Sequence, residues 1–257
     1  FIMTGKRISL FILIGLFWWA CEENLEIDTD KNIYYDDISD ITYLNGYFYS
    51  TNFDLSGNSG SQIDLLKFEL NPDSVYFITD AFNLDMNGQG YLAMTSDGND
   101  LYLQSRNSYL LIKCSPTGEK AFVKIDSLTA NWQPCGLGYQ GELDSLIVLY
   151  RNLDSKTEYR MRILSKNGST SSTRDEIFQL NFADTTHHGV YSLAYNDSSL
   201  YLLGVDTTMS DQLITLDFSN LNVTEMEMIP DSTVVGLAFF GNDLYLSYRE
   251  KRIEKWE

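Results

Sequence analysis

The feature that most constrains this chain is a phrase repeated five times: a short apolar strand, a tight Asn/Asp/Gly turn, a second strand rich in Leu and Tyr, then a polar loop. The clearest copy runs from Val234 to Arg249. Its echoes are Ile41 to Asn52, Leu92 to Arg106, Leu137 to Arg151 and Leu193 to Val205. The residues opening the second strands, Tyr47, Leu101, Leu146, Leu200 and Leu244, stand 54, 45, 54 and 44 apart. Such intervals exceed one hairpin and suit a four-stranded unit with loops of variable length, repeated around an axis. The expected fold is all-β: a β-propeller of five four-stranded blades, or of six if the chain continues past Glu257.

Each copy offers a third strand, at Leu65 to Leu70, Leu110 to Cys114, Met161 to Ser165, Leu213 to Phe218 and Arg252 to Trp256. The first four add a fourth, at Val75 to Phe82, Ala121 to Ile125, Glu176 to Phe182 and Val223 to Ile229. The last copy lacks one, and a ring with an unpaired edge invites aggregation. The segment Asn32-Ile33-Tyr34-Tyr35 is expected to close the last blade. Asp97-Gly98-Asn99-Asp100, Asn196-Asp197-Ser198-Ser199 and Gly241-Asn242-Asp243 recur at one blade position, which makes them hairpin turns rather than calcium loops. Helical periodicity is nearly absent after Cys21, and 17 Tyr and 14 Phe suit strand faces packed between blades.

Lys6 and Arg7 precede an apolar run from Ile8 through Ala20 and then Cys21. The run is short for a membrane span and reads as a secretory signal. With its small residue before the cysteine it resembles a bacterial lipoprotein signal. That resemblance implies a signal peptide at 1–20, lipidation of Cys21, and a cell-envelope protein anchored to the outer membrane, periplasmic or surface-exposed. Residues 21–31 form an acidic tether with little to bury, and the propeller domain occupies 32–257. Acids directly after the lipidated cysteine resemble surface-export signals of some Gram-negative lipoproteins, or are simply a solvated linker.

The net charge is −18. Removing residues 1–20 takes Lys6 and Arg7 and no acid, leaving 16 basic against 36 acidic residues. Nucleic acid and anionic lipid surfaces are disfavoured as partners. Within the domain, Cys114 ends a third strand and Cys135 opens an innermost one, at opposite ends of neighbouring blades. They are expected to be free thiols, because a disulfide needs Cα atoms within about 7 Å. No CxxC or Cys/His cluster points to zinc, and no cofactor is expected.

The phrase Gly236-Leu237-Ala238-Phe239-Phe240-Gly241-Asn242-Asp243-Leu244-Tyr245-Leu246, with Lys251-Arg252-Ile253-Glu254-Lys255-Trp256 after it, resembles the repeat of NHL-like and SMP-30/gluconolactonase-like propellers. The resemblance covers residues 40–257 as architecture. It implies extracellular binding or, in the lactonase branch, a metal at the ring's centre held by Glu, Asn and Asp.

Propeller ligands usually sit at one mouth of the central channel, and the expected mouth is the face where innermost strands start and second strands end. Arg106, Arg151 and Arg249 end three second strands at the equivalent position. Guanidinium forks suit carboxylates, phosphates or sugar hydroxyls, with Tyr150 and Tyr248 offering flat faces nearby; alternatively each arginine pairs with an acid of the next blade. Trp132, between Asn131 and Gln133, is either an exposed indole that stacks on a ligand or a core tryptophan capping its blade. His187 and His188 are the only histidines, and as neighbours in an extended segment they point to opposite sides. No Gly-x-Ser-x-Gly elbow, phosphate loop or HExxH is present.

Six tripeptides of Asp, then Ser or Thr, then an aliphatic residue or Thr, opening at Asp73, Asp126, Asp144, Asp184, Asp206 and Asp231, match either a bacterial O-glycosylation acceptor or ordinary turn pairs. The reading that results is a non-enzymatic, lipid-anchored binding module for a glycan or peptide, or an accessory subunit of a surface complex. Alternatives are a protein-binding scaffold and a metal-dependent hydrolase or lactonase working at the propeller centre.

Overall fold

A computed structural model describes residues 37–53, 62–71, 74–87, 92–105, 110–124, 128, 131–155, 157–166, 174–180, 189–205, 210–230, 233–249 and 251–257. These residues form five antiparallel sheets and no helix. The first sheet is β1 (Asp37–Leu44), β2 (Tyr47–Phe53), β3 (Gln62–Asn71) and β4 (Ser74–Asn87). The second is β5 (Leu92–Ser96), β6 (Leu101–Ser105), β7 (Leu110–Cys114) and β8 (Lys120–Lys124). The third is β9 (Trp132–Gln140), β10 (Ser145–Asn152), β11 (Glu158–Ser165) and β12 (Arg174–Gln179). The fourth is β13 (Val190–Asn196), β14 (Ser199–Val205), β15 (Asp211–Asp217) and β16 (Val223–Met228). The fifth is β17 (Val234–Phe240), β18 (Asp243–Tyr248) and β19 (Arg252–Lys255).

Each sheet is a meander in chain order, and the first strands touch one another in a closed sequence, β1 to β5 to β9 to β13 to β17 and back to β1. That is the β-propeller read from the repeat. The fifth sheet has three strands among the described residues, and residues 32–35, expected to complete it, lie outside them. Ring closure is visible elsewhere: the Ile38 N–H, at the start of β1, donates to the Arg249 carbonyl at the end of β18 (2.9 Å).

Second strands are buried on both faces because each blade is sandwiched between two others. In β6 every residue is buried, as are Ser145 to Tyr150 of β10. The outer strands β12 and β16 instead run largely exposed. The core is accordingly a set of interblade clusters. Cys135, Leu149 and Met161 of the third blade pack with Leu193, Leu202 and Ile214 of the fourth. Ile38, Ile41 and Phe48 of the first pack with Val235, Tyr245 and Ile253 of the fifth. Cys114 and Cys135 are both buried, in different clusters, and form no disulfide with each other, as their positions implied.

The turns behave as their residues dictate. Asn45 and Gly46 both carry positive φ (51° and 92°), the combination a two-residue hairpin turn of matching twist requires. The pairing corrects one detail of the repeat. Tyr43 pairs with Phe48, as Tyr195 pairs with Leu200 and Phe239 with Leu244, so the first blade's marker is Phe48 and not Tyr47.

Candidate functional site

The inner strands define layers along the axis. Registers with the second strands make Asp40, Ala93, Gly136, Ser192 and Gly236 equivalent, and beyond them Ile41, Met94, Leu137, Leu193 and Leu237. In the first of these layers four residues are Gly, Ala or Ser, and the fifth is an aspartate that is 2 % exposed. Its carboxylate reaches across the axis. Oδ1 accepts from Ser192 Oγ (2.5 Å) and the Ile41 N–H (3.0 Å), with the Leu237 N–H at 3.4 Å, and Oδ2 accepts from the Met94 N–H (3.0 Å). Ser192 Oγ in turn accepts from the Leu237 N–H (3.2 Å). A buried carboxylate is tolerable only when hydrogen-bonded in this way, and here one side chain ties four blades together.

Two further layers lie beyond, towards the hairpin turns. They are Thr42, Thr95, Gly138, Ala194 and Ala238, then Tyr43, Ser96, Tyr139, Tyr195 and Phe239. A cavity of about 200 Å³ occupies this part of the axis. It is floored by Ile41, Met94, Leu193 and Leu237 above the Asp40 carboxylate, flanked by Thr42, Thr95, Ala194 and Ala238, and collared by the last layer. The collar is aromatic in four blades out of five and half-buried throughout.

The collar tyrosines are held by their own turns. Tyr139 donates its hydroxyl to Asp144 Oδ1 (2.7 Å), and Tyr195 donates to the Asp197 carbonyl. Burial and the Asp144 bond push the Tyr139 hydroxyl up to about 12, and burial raises that of Tyr195, so both rings are neutral. Lys166, at the end of the third blade's β11, bridges Asp144 (2.7 Å) and Asp97 of the second blade (2.8 Å). Asp97 also accepts from the Tyr102 hydroxyl (3.0 Å) and from the N–H groups of Asn99 and Asp100. Burial opposes its ionisation, but Lys166 and these donors outweigh burial and hold Asp97 down to about 2.

Of the residues singled out in the sequence, those that are described fall at the other end of the ring. Arg151 and Arg249 do end their strands on the face where inner strands begin. Arg151 donates from Nε (2.8 Å) and Nη2 (2.5 Å) to Gln133 Oε1 of its own blade. Arg249 is exposed. Arg106, His187 and His188 lie outside the described residues. Trp132 is 8 % exposed and packs with Tyr102, Leu111 and Tyr150, with the Arg160 guanidinium 5.8 Å from its ring centre. It is the blade-capping core tryptophan of the two readings, since an indole enclosed by three blade strands has no free face. Tyr150 is fully buried, and Tyr248 is 6 % exposed under the Arg252 guanidinium (3.7 Å), so neither offers a flat face to a ligand. Ser145 is buried and its hydroxyl donates to the Leu143 carbonyl (2.8 Å), which makes Asp144-Ser145 a turn pair. Among the described residues no three His, Cys, Asp or Glu side chains stand together as a metal site.

The collar did have a sequence signal. The tripeptides Ile41-Thr42-Tyr43, Leu137-Gly138-Tyr139, Leu193-Ala194-Tyr195 and Leu237-Ala238-Phe239 repeat as aliphatic, small, aromatic. Read one strand at a time, that pattern is indistinguishable from ordinary core.

No protein-family model and no curated protein sequence matches the chain. Solved structures do share its fold. Glutaminyl cyclase from Myxococcus xanthus superposes with a TM-score of 0.53 at 13% identity, covering 86% of this chain and 90% of that one. A nidogen/laminin complex gives 0.50 at 13% identity, over 83% of this chain and 73% of that one. Xylan β-1,4-xylosidase from Bacillus halodurans C-125 gives 0.57 at 12% identity over 87% of this chain, which spans 54% of the xylosidase chain. Two of these three are enzymes. The expectation of a non-enzyme is corrected accordingly: it rested on missing linear motifs, and a propeller assembles its chemistry from separate blades around the axis, where no linear motif is needed.

Proposed function

We propose that this chain is a lipid-anchored, extracytoplasmic propeller that holds a small ligand in the axial cavity above the Asp40 layer. The observation that carries the reading is the cavity, a space of about 200 Å³ where the inner strands converge. Filling it with larger side chains would gain burial energy, because voids in a core are destabilising. A concave axial space whose surface is largely polar, with Thr42, Thr95 and Ser96 on its wall, offers a small ligand hydrogen-bonding groups. This reading moves the ligand from the arginine-bearing face to the opposite end of the axis. The arginines then serve as strand-end structure, as the Arg151–Gln133 pair does.

The anchoring part rests on Lys6, Arg7, the apolar run to Ala20, and Cys21. Acyl chains on Cys21 would hold the domain at the outer membrane, at about 0.8 kcal/mol per buried methylene. Ligand capture beside the membrane suits a subunit of an uptake or surface complex. Turnover of the captured molecule belongs to the same site, the position at which residues of separate blades meet.

The test is calorimetry and thermal denaturation of the purified protein against sugars, peptides, organic cations and divalent ions, with each ligand re-analysed for chemical change. Ligand at a hundred times its dissociation constant adds about 2.7 kcal/mol of stability. The same panel is run on Ala194→Phe, which fills the cavity. A response lost in that variant supports the axial site, and one retained there sinks it.

A further inference from the structure

We propose that the axial cavity takes a small neutral polyhydroxyl molecule, a free monosaccharide or sugar alcohol. This rests on the axial-site reading above and names its ligand class.

The first ground is that the wall is main chain. The floor side chains Ile41, Met94, Leu193 and Leu237, and the rings of the layer beyond them, pack into the clusters between blades. The surface of the cavity is nevertheless largely polar. What these residues turn to the axis is therefore their backbone.

The topology accounts for it. Each of the inner strands β1, β5, β9, β13 and β17 stands at the end of its sheet, with a second strand on one edge and the axis on the other. The Met94 and Leu237 N–H groups give the direction, since both point inward to the Asp40 carboxylate. A strand turns the N–H and C=O of every second residue to the same edge. The carbonyls of Met94 and Leu237 and both backbone groups of Ser96 and Phe239 hence face the cavity, and the equivalent residues of β1 and β13 repeat the pattern.

The second ground is what such a wall recognises. N–H donors and C=O acceptors alternate around it, joined by the hydroxyls of Thr42, Thr95 and Ser96. Among the described lining residues there is no carboxylate, side-chain amide, guanidinium or ammonium. A cation would leave the N–H groups facing it, an anion would leave the carbonyls, and an apolar molecule would strand both. A hydroxyl is donor and acceptor at once, so a molecule carrying several satisfies both kinds of group. The Asp40 carboxylate beneath the floor adds to the exclusion of anions.

The third ground is size. The cavity of about 200 Å³ is smaller than the about 300 Å³ at which drug-sized pockets begin, and at about 30 Å³ each it has room for about six waters. That scale suits one sugar ring or one short polyol and excludes an oligosaccharide.

The experiment titrates the full-length protein by calorimetry with D-glucose, D-xylose, myo-inositol and D-sorbitol, and with gluconate and glucamine as charged counterparts, each to about 10 mM. Backbone amide exchange, read by NMR with and without each compound, locates whatever binds. At least one neutral compound is expected to bind, and to slow exchange at Ser96, Tyr195 and Phe239 about tenfold or more while Met94 and Leu237, already bonded to Asp40, change little. Gluconate and glucamine are expected to bind about tenfold more weakly or worse. Binding by none of the four neutral compounds, or a charged counterpart that binds as tightly as the best of them, overturns the polyol class. If a charged compound protects those same amides, the polyol inference falls and the axial site stands. If protection appears only elsewhere on the ring, both fall.

Discussion

Gly236 approaches Asp40 so closely that a Cβ built on it would lie 2.6 Å from both the Asp40 Cα and its Oδ1, and 2.8 Å from the Ile41 nitrogen. The fifth blade can lean on the first only because residue 236 has no side chain. The contact brings the Leu237 N–H towards the Asp40 carboxylate, and with Ile38 N–H to Arg249 it closes the ring.

Glycine substitutions along the inner strands should therefore be graded. At Gly236 the obstruction is backbone, and Gly236→Ala is expected to cost about 3 kcal/mol or prevent folding. At Gly136 a Cβ meets Leu193 Cβ at 2.8 Å, whereas at Gly138 it meets the mobile Leu193 Cδ2 at 2.4 Å. Urea denaturation should rank the losses Gly236→Ala, then Gly136→Ala, then Gly138→Ala.

Asp40→Asn should destabilise although it is nearly isosteric. An amide turns one acceptor into a donor that must face Met94 N–H or the group formed by Ser192 Oγ, Ile41 N–H and Leu237 N–H. Unsatisfied buried groups cost about 1–3 kcal/mol each. Ser192→Ala should be milder: it removes one donor to Asp40 and one acceptor of the Leu237 N–H, which keeps its longer bond to Asp40, and the Ile41 and Met94 bonds stay. Equilibrium unfolding of both variants checks the order.

The Lys166 bridge predicts an acid transition with a definite sign. Asp97 titrates in the folded protein at about 2, below its ordinary carboxylate value. A depressed pKa contributes stability above the unfolded value that is lost as pH falls through the folded one. Stability should drop between about pH 4 and pH 2. Lys166→Met removes the principal cation beside Asp97 and should flatten that drop, as read from melting temperatures over this range; an unchanged slope would contradict the assignment.

Trp132→Ala should cost about 3–5 kcal/mol, the range for deleting a buried aromatic, and should leave ligand binding at the axis intact in protein that folds. Denaturation midpoints and calorimetry separate the two effects. Loss of binding without loss of stability would restore Trp132 as a ligand platform.

Both domain cysteines are buried and form no disulfide with each other. In a Cys21→Ser protein a thiol reagent should label neither Cys114 nor Cys135 in the native state and both after denaturation. Rapid native labelling would show that the packing of their clusters is looser than described.

The blade is written locally in the chain. Its strands, turns and period are local properties: a two-residue turn such as Asn45-Gly46 is written in residues that tolerate positive φ, and continuous apolar second strands report a blade covered on both faces. Even the third strand Leu110–Cys114 was legible to the residue. Which repeat positions meet at the axis depends on the assembled ring. Asp40 looks like one more acid ahead of the first blade until Met94, Ser192 and Leu237, between 54 and 197 residues away in the chain, are brought around its carboxylate. The aliphatic, small, aromatic tripeptides look like ordinary core until convergence of the inner strands leaves a space at the axis beside them. Trp132 and Tyr150 look available until a neighbouring blade covers them. Local chemistry dictates the strand, but burial and charge pairing are properties of what lies opposite, and in a ring of blades that partner comes from a distant part of the chain.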